Sequence, residues 1–145
     1  METERREQLA WAAGFFDGEG SICCNRERNR TSTRVGSLKL TLGIAQASDS
    51  EVLHRFKAAV GVGTVRGPFD RQIDNQNIVF VYSVHNFEDV QYAIAQLWPW
   101  LGTRKRQQAK HALVGWRTHP TRRWFARRRG SLRKQNLLRT SRRAP

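Results

Sequence analysis

The segment Trp11-Ala12-Ala13-Gly14-Phe15-Phe16-Asp17-Gly18-Glu19-Gly20-Ser21-Ile22 constrains the fold more than any other stretch of this chain. Leu9, Ala12, Ala13 and Phe16 recur at helical spacing, so the sequence from about Glu4 to Phe16 reads as a helix. Thr3 offers a cap at its start, and Gly18 and Gly20 close it just ahead of a strand. Ala12, Ala13 and Gly14 carry nothing larger than a methyl, which lets another helix backbone come unusually near. Two acids, Asp17 and Glu19, stand at the helix C-terminus, where the dipole disfavours negative charge.

Downstream, Ser21–Arg26 and Val35–Gln46 read as strands joined by a polar loop, Glu27–Arg34, too long for a tight hairpin. In the second of them Leu38, Leu40, Leu42 and Ile44 share one face, while Ser37, Lys39, Thr41 and Gly43 share the other. Asp49 or Ser50 can cap a helix carrying Val52, Leu53, Phe56 and Val60, closed by Gly61. A second strand pair follows, Thr64–Pro68 and Asn77–Val84, around the polar loop Phe69–Gln76. Helices are predicted over Phe87–Leu97, capped by Asn86, and over Thr103–Trp116. The order is helix, two strands, helix, two strands, helices, an α+β architecture.

At 145 residues the chain suits one domain, residues 1–116, with an Arg-rich extension, residues 117–145. The extension holds 11 basic side chains and no acid, against 15 basic and 12 acidic in residues 1–116. A formal charge of +14 points to a polyanionic partner. No run approaches the roughly 18 apolar residues of a membrane span, and Met1–Glu7 lacks the order of a signal peptide. The chain is therefore expected to be soluble and intracellular, with no membrane partner. Cys23 and Cys24 are adjacent, which suits neither a zinc site nor a disulfide framework, and they are expected to be buried thiols. His54, His85, His111 and His119 show no metal-ligand spacing. Trp11, Trp98, Trp100 and Trp116 are expected in the core, whereas Trp124 and Phe125, set among arginines, are candidates for stacking on bases.

The segment from Trp11 to Ile22 resembles the motif that names the LAGLIDADG homing endonucleases, and the element order is similar to their αββαββα fold with a curved antiparallel DNA-binding sheet. The resemblance covers roughly residues 7–116. Gln46 at a strand end, Gly61 to Arg66 before the second hairpin, His85-Asn86-Phe87 opening a helix and Lys105 ahead of Gln107-Gln108-Ala109 extend it. Ala12 stands where Leu is usual and Glu19 where Asp is commoner.

The resemblance implies a single-motif chain that pairs with its own copy through Ala12, Ala13 and Gly14. It implies metal binding by Glu19 and the Gly18 carbonyl, with Mg²⁺ or another divalent cation such as Mn²⁺ as cofactor. It gives Glu19, Gln46 and Lys105 catalytic roles, with Arg104 and Arg106 as rivals of Lys105, and leaves Asp17 as a structural acid. The implied reaction is a metal-dependent double-strand break in a long pseudo-palindromic site. DNA would be held by Asn25, Ser37, Lys39, Thr41, Arg66 and Asn77 on the sheet, with Arg28, Arg30, Arg34, Arg71 and Asn75 reaching outward from the loops. Two other readings keep the fold and change the activity: a DNA-binding regulator that does not cut, and an intron-encoded RNA-binding splicing helper, for which intron RNA is a partner.

Overall fold

The structure is a computed structural model that describes residues 1–26, 38–70 and 78–119. Its elements run α1 (Glu2–Glu19), β1 (Gly20–Arg26), β2 (Leu38–Ala47), α2 (Glu51–Val60), β3 (Thr64–Asp70), β4 (Ile78–Val84), α3 (Phe87–Leu97), a 3-10 turn (Trp98–Trp100) and α4 (Thr103–Thr118). The first seven reproduce the expected αββαββα order.

The four strands form one antiparallel sheet in the order β1-β2-β4-β3. Alternation along β2 buries Leu40, Leu42 and Ile44, and the partners across the register, Ile22, Tyr82 and Val84, are buried with them. This face meets Phe16 of α1, Leu53, Phe56 and Val60 of α2, and Val90, Ala93, Ile94 and Leu97 of α3 in one core. Each large side chain buried this way contributes roughly 1.5–3 kcal/mol. Tyr82 anchors the centre, its hydroxyl donating to the Val62 carbonyl at 2.8 Å and its ring meeting Phe56 edge-on at 4.9 Å. Burial pushes its phenol pKa well above the usual range, with Asp89 adding to the effect. Trp11, Trp98, Trp100 and Trp116 pack partly buried against this core, as expected.

Several boundaries move. α1 starts at Glu2, with Met1 at its cap position and no side-chain cap, so Thr3 lies inside the helix. It also runs through Asp17 and Gly18 to Glu19, because the chain leaves helical geometry only at Gly20. Ser50 is the N-cap of α2 by position, but the Asp49 carboxylate accepts the Glu51 N–H at 2.8 Å. Asn86 caps α3 by accepting the Asp89 N–H at 2.7 Å. β3 passes its predicted end at Pro68 and reaches Asp70 through an irregularity between Arg66 and Phe69.

One expectation is corrected on α1. Ala12 and Ala13 are fully buried in the chain's own core, beside Leu9 and Phe16. At 100° per residue these four share one face, and Gly14 lies on the opposite, exposed side. The small-residue row on the outer side is therefore half-buried Ala10 with exposed Gly14 and Gly18, of which only Gly14 belongs to the expected partner-facing set. The cysteines differ too: both are free and half-buried, Cys24 packing on the core while Cys23 takes the opposite side of β1. Among the described residues no helix is long and apolar enough to cross a membrane.

Candidate functional site

α1 hands over to β1 at a corner fixed by Gly20. Its N–H bonds the Phe16 carbonyl, and a Cβ there would overlap the buried Phe16 ring, so only glycine fits. Glu19 immediately before it is exposed, and no basic residue occupies the last turn of α1. Gly18 is exposed as well, and a Cβ built on it would meet nothing within 4 Å. The last carbonyls of a helix lack intrahelical donors, so this end offers a carboxylate and free backbone oxygens together.

Three further elements converge on the corner. The first is α4, tied to it by Asp17, whose Oδ2 accepts the Gly102 N–H at 2.8 Å just ahead of the α4 N-terminus. Lys105, three residues on, donates from Nζ to the Gly20 carbonyl at 2.5 Å, and its Nζ lies 5.3 Å from the centre of the Phe16 ring. Burial lowers the Lys105 pKa, Asp17 partly restores it and Arg104 lowers it again. Of the three basic candidates, Lys105 is the one whose ammonium is bonded to this corner. Arg106 instead donates to the Pro99 carbonyl at 3.2 Å and lies over Trp98, while Arg104 is exposed.

The second element is β2. Gly20 pairs with Ile44, so the strand's last residues, including half-buried Gln46, lie at the level where α1 ends. The third is an open groove of about 580 Å³ between β1 and α4, lined among others by Gly20, Cys24, Lys105, Gln108 and His111. Among the described residues no three of His, Cys, Asp and Glu come together as a metal cluster. What one chain could offer a cation here is one exposed carboxylate, Glu19, and the neighbouring Gly18 carbonyl. That donor set is hard and oxygen-only, and it fits Mg²⁺ or Mn²⁺ better than a soft ion.

The face of the sheet turned away from the helices is the second half of the site. Asn25 pairs with Lys39 across β1 and β2, and both are exposed, as is Arg66 on β3. Thr41 lies half-buried on this face, its hydroxyl 3.4 Å from Nδ1 of His85. The His85 pKa is lowered by burial first and then by the nearby cations Lys39 and Arg66. His85 had drawn no role from the sequence, although it continues the outward alternation of β4 at residues 79, 81 and 83. Arg28, Arg30, Arg34, Ser37, Arg71, Asn75 and Asn77 lie outside the described residues, as do Trp124 and Phe125.

The LAGLIDADG endonuclease family profile matches residues 12–97. No curated protein matches the sequence. Among solved structures, the homing endonuclease I-CvuI in complex with the I-CreI target and Mg is 25% identical, with a TM-score of 0.61 over 76% of this chain and 66% of that one. The same enzyme with its own target and Ca gives 25% identity and a TM-score of 0.61 over 77% and 66%. The LAGLIDADG meganuclease I-CpaMI bound to uncleaved DNA shares the fold at 21% identity and a TM-score of 0.55, over 73% of this chain and 36% of that one. The chain thus spans just under two thirds of the length of the I-CvuI chains that it matches.

Proposed function

This chain belongs to the LAGLIDADG endonuclease family, and on that premise we propose that it acts as a homodimer that cuts both strands of a long, pseudo-palindromic DNA site with divalent metal. The observation that carries the reading is the placement of Glu19. It is an exposed acid at the end of a helix whose outer row, Ala10, Gly14 and Gly18, leaves room for a second backbone. Two such helices side by side bring the two Glu19 carboxylates together on a two-fold axis. Like charges at helix C-termini are tolerable there only with cations between them.

Each Glu19 and Gly18 carbonyl would hold metal at the scissile phosphates. Divalent ions bound there supply a lowered water pKa and charge neutralisation at the phosphoryl oxygens. The chain's own residues do the rest. The Lys105 ammonium, steered by the Gly20 carbonyl, faces the negative charge that grows on the phosphate. Gln46 orders the attacking water by hydrogen bonding. Water adds to phosphorus as the P–O3′ bond breaks, its proton passes to solvent, and the leaving oxygen takes a proton from solvent, giving a 5′-phosphate and a 3′-hydroxyl. Asn25, Lys39, Thr41 and Arg66 hold one half-site in the major groove, and the second copy holds the other.

The test begins with a duplex selected from a randomised library for binding in Ca²⁺, then moved into Mg²⁺. Both strands should be cut, and Glu19→Gln should bind as well or better while cutting falls to background. Near-normal cutting by Glu19→Gln overturns the assignment of the acid. Intact, bound DNA in Mg²⁺ makes the protein a DNA-binding regulator.

A further inference from the structure

The outward face of the sheet is not uniformly polar. Its register stacks side chains in rows across the strands: Ala45, Val81 and Arg66 form one, and Ala47, Val79 and Phe69 form the next. None of Ala45, Ala47, Phe69, Val79 and Val81 belongs to the core on the helix side. Ala45 and Ala47 are exposed, Val81 is half-buried, and Phe69 keeps 47% of its surface in solvent.

Phe69 reaches this face through a bulge. From Val81 to Val79 the central strand advances two residues, whereas β3 advances three, from Arg66 to Phe69. In an unbroken ladder Pro68 would stand opposite Val79. The extra residue is taken up at Gly67, whose φ of +133° and close approach to the Val79 carbonyl, 2.9 Å from a built Cβ, exclude other residues. A bulge that re-aims one side chain is a device of the fold, and here it turns an aromatic ring outward beside Arg66.

Arg66 stands in the strip's own row, and Thr41, Lys39 and Asn25 give a charged and polar frame farther along the same face, beyond Gly43 and Ser83. That frame is complementary to a phosphate backbone. Within a major groove the apolar group that Ala, Val and Phe can meet is the C5-methyl of thymine. We propose that the strip of Ala45, Val81, Ala47 and Phe69 is a specificity element that reads thymine methyls in each half-site. This rests on the family's DNA-binding reading and adds which base feature is recognised, and by which side chains.

Deoxyuridine in place of thymidine removes the methyl and keeps the base pair. In a duplex selected in Ca²⁺, each thymidine is replaced in turn and binding is followed by fluorescence anisotropy, without cleavage. Two or three positions per half-site should lose affinity by roughly fourfold per methyl, the effect of exposing one buried carbon. Phe69→Ser and Val81→Ser, which remove the apolar contact, checked for folding by thermal melts, should bind thymidine and deoxyuridine duplexes equally at the position each one contacts. Equal binding of every deoxyuridine duplex by the parent protein overturns the strip alone, as does full discrimination in both variants. Binding with methyl discrimination but no cutting in Mg²⁺ leaves the strip standing and removes the nuclease reading. Failure to bind any duplex overturns both.

Discussion

Asp17 accepts the Gly102 N–H at 2.8 Å and joins α1 to α4, whereas Glu19, two residues on, is exposed. A two-residue step turns the helix by about 200°, so neighbouring acids of one motif end in different surroundings. Asp17→Ala should cost about 1–2 kcal/mol by leaving that N–H without its charged acceptor, and Asp17→Asn less, because an oxygen remains. Urea denaturation measures this, and the protein that folds should still cut. A variant at Asp17 as stable as its parent yet inactive would move the chemistry to this residue. The split between the two acids was legible in the sequence from helical phase. Which of Arg104, Lys105 and Arg106 bonds the α1 corner was less so, and Lys105 stood there with two rivals, since the answer depends on where α4 starts, to within one residue. Burial lowers the Lys105 pKa, so its ammonium is lost at a lower pH than that of an ordinary lysine. Cleavage should therefore fall on the alkaline side as Lys105 deprotonates, and Lys105→Arg should push that fall to higher pH. An unchanged alkaline limb would separate Lys105 from the charge that the reaction needs.

At the scale of elements, α1 has two faces that the sequence presents as one run of small residues. Ala12 and Ala13 fill the core, while Ala10, Gly14 and Gly18 line the outside. Composition alone does not choose between them, because a methyl suits a crowded core as well as a close helix crossing. The phase of Leu9 and Phe16 makes the choice, and it shifts the proposed interface by about 100° around the helix. Gly14→Leu tests the corrected face. A Cβ at Gly14 meets nothing within 4 Å in the single chain, so the fold should hold or gain about 0.5–1 kcal/mol of helix stability. The dimer should be lost, seen by sedimentation as a folded monomer. Ala13→Trp, in contrast, overfills the core and should unfold the chain itself. A Gly14→Leu dimer of unchanged affinity would place the partner elsewhere. The bulge in β3 was hidden for another reason. Gly67-Pro68 reads as the end of a strand, since proline lacks a ladder donor, and only cross-strand pairing reveals that the strand resumes at Phe69.

At the scale of the whole molecule, the proposed DNA-binding role divides between charge, which would set how tightly any duplex is held, and geometry, which would set which one. Residues 120–145 carry 10 of the 26 basic side chains and no acid, and removing them lowers the formal charge from +14 by 10. The sheet and the α1 corner lie entirely upstream, so the residues proposed to read bases and to act on phosphate survive this truncation. Ending the chain at His119 keeps α4 whole, through Thr118. Each phosphate that the tail neutralises adds roughly 0.9 to the slope of log affinity against log salt. The truncated protein should therefore show a shallower salt dependence and a proportional loss on selected and random duplexes alike, with the ratio between the two preserved. Anisotropy titrations of both duplexes across a range of salt concentrations measure slope and ratio together. If the ratio collapses while the slope stays fixed, the tail reads sequence instead of supplying charge, and the division of labour between sheet and extension is wrong.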